Sequence, residues 1–198
     1  MTSRVRVRRP DPPEGYPEDP FAGCPTLPVP SSMLVAMGID ASLTDTGIGV
    51  LSEAKLWSKS YAPKFMRGAE RLAWFRDQLL ALIRQVGPDL IALEGYSFGS
   101  RNGREAMGEL GGIVKLVALD TAVPVMIVTP NDLKLFITGK GNGEKSTVSK
   151  ELYKRYGVDL NNNNQVDAAV LALMALAKLD GSFALTEFQK RALTKALD

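Results

Sequence analysis

Residues 37–50 read MGIDASLTDTGIGV: an apolar run that stops at the carboxylate of Asp40, a small polar loop, and a second run spaced by glycines. Extended back to Met33 and forward to Ser52, the two runs, Met33–Asp40 and Thr46–Ser52, have the length and composition of short strands. Joined by so short a loop, they can pair only as an antiparallel hairpin. Asp40 then stands at the end of a buried strand. Alone it is either a turn residue bonding its own backbone or a carboxylate held for chemistry, and the hairpin cannot choose.

Outward from the hairpin, KLWSKSYA (55–62) reads as a third strand that completes an antiparallel meander. A long amphipathic helix is expected over about Lys64–Val86, because Phe65, Leu72, Leu79 and Val86 recur every seventh residue. Phe75 and Ile83 fill the same stripe, and Gly87-Pro88 ends it. DLIALE (89–94) is apolar enough for a central strand. Then come a helix over about Arg104–Ala118, a strand VPVMIV (123–128), and a helix PNDLKLFIT (130–138) with Pro130 in its first turn. A GKGNG loop precedes a helix at about Ser146–Tyr156; an NNNN tract precedes a helix over Gln165–Leu179; a last amphipathic helix runs from about Leu185 to Ala196. This order predicts an α/β domain built on a mixed five-stranded sheet.

The folded domain is expected over 33–198, behind a proline-rich segment, 1–32, read as a disordered or loosely docked tail. Arg4, Arg6, Arg8 and Arg9 open that segment, but four acids follow them, which suits a solvated tail. Histidine is absent and Cys24 is the only cysteine. Disulfide frameworks, Cys/His zinc sites and Ser-His or Cys-His catalysis are therefore excluded. A metal would have to be held by oxygen, which favours Mg²⁺ or Mn²⁺. The net charge is only +2, so a nucleic acid would be gripped by a local patch. The longest strongly apolar run, Ala168–Ala177, is about half a bilayer span, and the basic start runs into prolines, not an apolar stretch. A cytoplasmic protein with no membrane partner is expected.

Two acids end apolar strands, Asp40 and Glu94, and a third, Asp167, begins a helix that is otherwise apolar for ten residues. If the first and fourth strands are neighbours, Asp40 and Glu94 sit side by side, and Asp167 can point at the same spot. Each has a plain reading: a turn aspartate, a solvated strand end, a first-turn acid favoured by the helix dipole. Together they are costly unless a cation compensates them, and oxygen ligands so placed suit metal-assisted phosphodiester chemistry.

Four blocks, GIDASLTDTGIGV, IALEGYSFGSRNG, VTPNDLKLFITGKGNGEKSTVSK and NNNNQVDAAVLALMAL, resemble in order and spacing the RuvC-type Holliday-junction resolvases, over about residues 34–179. The second block, EGYSFGSRNGREAMGELGG, looks especially like the phage-encoded branch. The resemblance implies an RNase H-like fold with helices on both sheet faces, a homodimer, and Mg²⁺-dependent nicking of branched DNA: four-way junctions, with flaps and three-way forks as further substrates. It maps three acidic metal ligands onto Asp40, Glu94 and Asp167. The family's further acid, one helical turn before the last, falls on Asn164, which can offer a carbonyl oxygen but no charge.

Between Pro130 and Gly157 six Lys/Arg face three acids, where a glycine loop meets a helix N-terminus, an arrangement suited to phosphate. Lys140 and Lys145 are the expected phosphate contacts, and by resemblance Lys145 neutralises the scissile phosphate. GKGNGEKST is not a P-loop: Glu144 stands where glycine must precede the lysine, and a helix precedes the loop. Tyr96 and Phe98, with Arg101 and Arg104 behind them, suit stacking on unpaired bases; which aromatic faces DNA is left open. Gly108, Gly111 and Gly112, costly in a helix interior, fit either a dimer contact or close packing on the protein's own sheet. Two other functions compete: an actin-like or sugar-kinase ATPase, whose phosphate loop the hairpin resembles but which needs about twice the length, and a branched-DNA binding module that cuts poorly.

Overall fold

The computed structural model describes residues 19–42, 44–95, 104–141 and 145–195. Its strands are β1 (Val35–Asp40), β2 (Thr46–Ser52), β3 (Lys55–Tyr61), β4 (Leu90–Glu94) and β5 (Val125–Val128), in one sheet ordered β3-β2-β1-β4-β5. The first three form the antiparallel meander, while β4 and β5 run parallel to β1. The helices are α1 (Gly68–Val86), α2 (Arg104–Asp120), α3 (Pro130–Thr138), α4 (Lys145–Tyr156), α5 (Asn163–Leu179) and α6 (Glu187–Lys195). The mixed five-stranded sheet expected from the order of elements is the one observed.

Strand alternation divides the core in two. Val35, Met37 and Ile39 of β1 and Ile91 and Leu93 of β4 bury against α1 and α2, with Phe75, Leu79, Ile83, Leu110 and Val114. Ala36 of β1 and Leu90 and Ala92 of β4 face the other way, into a core shared with α3, α4, α5 and α6. On this second face the positions nearest α5 carry almost no side chain. A methyl on Gly38 would collide with the Ala168 carbonyl and the Ala172 nitrogen and come within 2.7 Å of Leu171 Cβ; on Gly49 it would meet the Ala168 carbonyl at 2.8 Å. On Gly47 it would strike the Asn164 carbonyl. The glycines that space the opening motif therefore let the α5 backbone lie directly on β1 and β2. That contact fixes the helix along the sheet and sets where its first turns fall.

Several boundaries differ from expectation. Helix α1 begins at Gly68, after an extended Arg67, so Phe65 falls outside the helix and is 97% exposed, not part of the buried stripe. Of the rest of the stripe, Phe75, Leu79, Ile83 and Val86 are buried and Leu72 is half-buried against the same core. The segment before Met33 joins the sheet's edge: Leu27 is buried, its amide donates to the Ala54 carbonyl at 2.7 Å, and the Leu56 amide donates to the Pro25 carbonyl at 3.1 Å. A helix, α3, stands before the glycine loop, in keeping with the rejected P-loop. No helix among the described residues is long and apolar enough to cross a membrane.

Candidate active site

The three acids singled out in the sequence lie at one corner of the sheet. Asp40 ends β1 opposite Gly47 of β2, and the parallel register, which pairs Ile39 with Leu93, continues to Asp40 beside Glu94. Asp40 shares its face with Ala36 and Gly38, and Glu94 shares that face with Leu90 and Ala92, so both stand on the side that α5 covers. Asp40 is only 6% exposed. Asp167 lies one helical turn before Leu171, whose Cβ faces Gly38. A turn of about 5.4 Å and two strand residues of about 6.6 Å bring Asp167 level with Asp40.

Asp167 belongs to the second turn of α5, not the first as expected, because the capping residue is Asn162. Its side-chain oxygen accepts from the Asn164 and Gln165 amides at 2.8 and 3.2 Å. Another buried acid nearby is structural: Asp132 accepts from the Thr129 hydroxyl at 2.6 Å, and its amide donates back at 3.2 Å, closing the start of α3.

Asn164 adopts a role the sequence did not suggest. Its side-chain amide donates to the Asp45 carbonyl at 2.6 Å, and the Asn162 amide donates to Asp45 Oδ2 at 2.6 Å. The two asparagines thus clamp the β1–β2 loop to the start of α5. Thr46 tightens the same loop, its hydroxyl donating to the Ser42 carbonyl at 2.6 Å. Asp45 Oδ1 is sealed from solvent with no hydrogen-bond partner among the described residues. Alternation from Gly47 and Gly49 would have placed Asp45 on the α5 side; its position in a turn-like LTDTG disguised it.

The ionisable side chains singled out at this corner are all carboxylates, the oxygen donors a hard cation takes. Like charges held together repel, and among the described residues no group of three or more His, Cys, Asp or Glu side chains is arranged to hold a metal. The backbone assembles the corner; the side chains do not close it.

Of the expected DNA contacts, Lys140 is exposed just beyond α3, and Lys145 is the first residue of α4. The side chains of Lys145 and of Arg104, which opens α2, lie outside the described residues, as do Tyr96, Phe98 and Arg101. In α2, a methyl on Gly108 or Gly112 would meet nothing within 4 Å among the described residues.

A sheet of this order, covered by helices on both faces and carrying acids where β1 and β4 end, defines an RNase H-like α/β protein. The family described as crossover junction endodeoxyribonuclease RuvC matches residues 36–178, and the chain belongs to that family. Among relatives of that description, the protein from Anaeromyxobacter sp. (strain Fw109-5) is 29% identical over 76% of this chain and 77% of its own. The one from Frankia casuarinae is 28% identical over 79% of this chain and 95% of its own. Thermus thermophilus RuvC superposes with a TM-score of 0.64 at 24% identity, over 77% of this chain and all of that one. The same protein in complex with Holliday junction substrate gives 0.63 at 22% identity, covering 77% of this chain and 99% of that one. Family membership decides against the ATPase reading of the hairpin.

Proposed function

We propose that this chain is a structure-specific endodeoxyribonuclease that resolves four-way DNA junctions by divalent-metal-dependent hydrolysis. The observation that carries the reading is family membership over 36–178 together with Asp40 and Glu94 at adjacent strand ends under α5. The relative described with Holliday junction substrate has this fold. Asp40, Glu94 and Asp167 hold the ion, and Asn164 stands beside them without charge. Mg²⁺ bound there, or Mn²⁺ in its place, supplies the positive charge that activates water and offsets charge developing on the phosphate.

The chain's own residues bind and orient the strand. Lys145 at the α4 N-terminus, where backbone N–H groups also face outward, neutralises the scissile phosphate, and Lys140 holds a neighbouring one. Tyr96 or Phe98 stacks on bases unpaired at the branch, with Arg101 and Arg104 on the backbone. The protein acts as a homodimer, so that two sites nick paired strands. Support for this comes from α2, where Leu116 and Leu119 are 57% and 75% exposed and where a methyl on Gly108 or Gly112 would meet nothing within 4 Å among the described residues. The block after Glu94 favours a phage-encoded enzyme acting in a host cytoplasm, with flaps and three-way forks as further substrates.

The test is a time course on a strand-labelled four-way junction. Symmetric paired nicks are expected in Mg²⁺ and none in EDTA. Equal cutting of linear duplex overturns junction specificity. Tight binding without cutting in either Mg²⁺ or Mn²⁺ overturns the enzyme and leaves a binding module.

A further inference from the structure

The turn after β3 leaves the sheet on the edge where the acids stand. Strands β1 and β3 both run antiparallel to β2, so they end together: Gly47 pairs with Asp40 on one side and with Ser60 on the other. Two strand spacings put Ser60 about 10 Å from Asp40. Strand β3 ends one residue later at Tyr61, and the chain turns over 63–66 on its way into α1. The Met66 amide donates to the Pro63 carbonyl at 3.3 Å, which makes Lys64 and Phe65 the two central residues of a β-turn. Arg71 Nε donates to the Met66 carbonyl at 3.0 Å and ties that turn to α1. Phe65 thus stands at the tip of an anchored turn with 97% of its surface exposed, and Lys64 and Arg67 beside it are exposed as well. From Lys55 to Arg71 the basic residues Lys55, Lys59, Lys64, Arg67 and Arg71 meet a single acid, Glu70. An exposed ring held between cations matches the chemistry of a nucleic-acid strand, whose bases offer faces to stack on and whose phosphates take the charge. Five residues from Ser60 span at most about 17 Å. Phe65 therefore lies within about 27 Å of Asp40, a distance a DNA strand covers in about eight nucleotides.

We infer that Phe65, Lys64 and Arg67 form a DNA contact separate from the segment after Glu94. The ring stacks on a base unpaired at the branch, and the two cations hold the phosphates on either side of it. The inference rests on the junction binding proposed above and names a further contact to that substrate. It needs no metal.

Fluorescence anisotropy of a labelled four-way junction with the full-length chain in EDTA, where nothing is cut, tests it. Phe65→Ala is expected to weaken junction binding about 10-fold. Phe65→Trp should bind like wild type, while Phe65→Leu, apolar but without a ring face, should stay weak. Lys64→Ala with Arg67→Ala should reduce the slope of log affinity against log salt by about 1–2, and Phe65→Ala should leave that slope unchanged. On a linear duplex Phe65→Ala should bind like wild type, because no base there is unpaired. Melting of each variant is followed alongside and should stay near wild type, since these side chains are exposed. Equal loss on linear duplex, or Phe65→Leu binding as well as Phe65→Trp, overturns the stacking contact. Unchanged junction affinity in Phe65→Ala with an altered oligomeric state in sedimentation assigns the ring to a protein contact and likewise overturns it. If the wild-type chain does not bind the junction, the junction reading itself falls. If wild type binds and Phe65→Ala binds equally, only the role of Phe65 falls.

Discussion

Replacing Gly47 by alanine should separate the site from the fold. The added methyl strikes the Asn164 carbonyl, and Gln165 N lies 3.0 Å away; both are helix backbone and cannot rotate aside. The start of α5 must therefore lift. Overpacking of this kind costs about 1–3 kcal/mol, and losing the Asn164–Asp45 hydrogen bond adds about 1 kcal/mol. At about 2–4 °C per kcal/mol for a chain of this size, melting followed by circular dichroism should fall by about 4–16 °C. The shift concerns the turn that leads to Asp167, and a misplacement of about 1 Å can cost on the order of 100-fold in rate. Cleavage should thus fall further than stability alone explains. Gly49→Ala, whose methyl meets the Ala168 carbonyl at 2.8 Å, also presses on helix backbone but overlaps it less, and should be milder on both counts. A Gly47→Ala protein that melts and cuts like wild type, or a Gly49→Ala protein that is worse, would refute the argument that α5 is seated by these glycines.

Two further outcomes are expected. Leu116→Ser with Leu119→Ser should shift sedimentation equilibrium from dimer to monomer while the far-UV circular dichroism of the fold is kept, since both side chains are exposed on the single chain; an unchanged dimer would place the interface elsewhere. Burial raises the Tyr156 phenol above its ordinary value, so its contribution is intact below about pH 10 and is lost as pH climbs past it. Urea denaturation of Tyr156→Phe should accordingly lose less stability than wild type between pH 9 and 11, and parallel losses would contradict the assignment.

The fold was readable where a local pattern and its tertiary use coincide. The glycine-spaced hairpin, the apolar DLIALE strand and the ten-residue apolar stretch of α5 each announced both an element and a buried face. That placed Asp40, Glu94 and Asp167 at one corner, because strand ends and helix starts are fixed by such patterns. Phe65 misled because seven-residue spacing does not say where a helix begins; the extended Arg67 does. The docking of Leu27 was hidden by proline richness, which marks missing regular structure and not missing contacts. Asp45 was missed for a different reason: its meaning depends on Asn162, 117 residues away in sequence. No local pattern carries that information.

The most direct measurement is cleavage and binding of one four-way junction by Asp40→Asn in Mg²⁺. Asn keeps the shape of the side chain but removes its charge, at a position 6% exposed and level with Glu94. The account predicts junction binding at wild-type strength with cleavage abolished. Cleavage at the wild-type rate would contradict it.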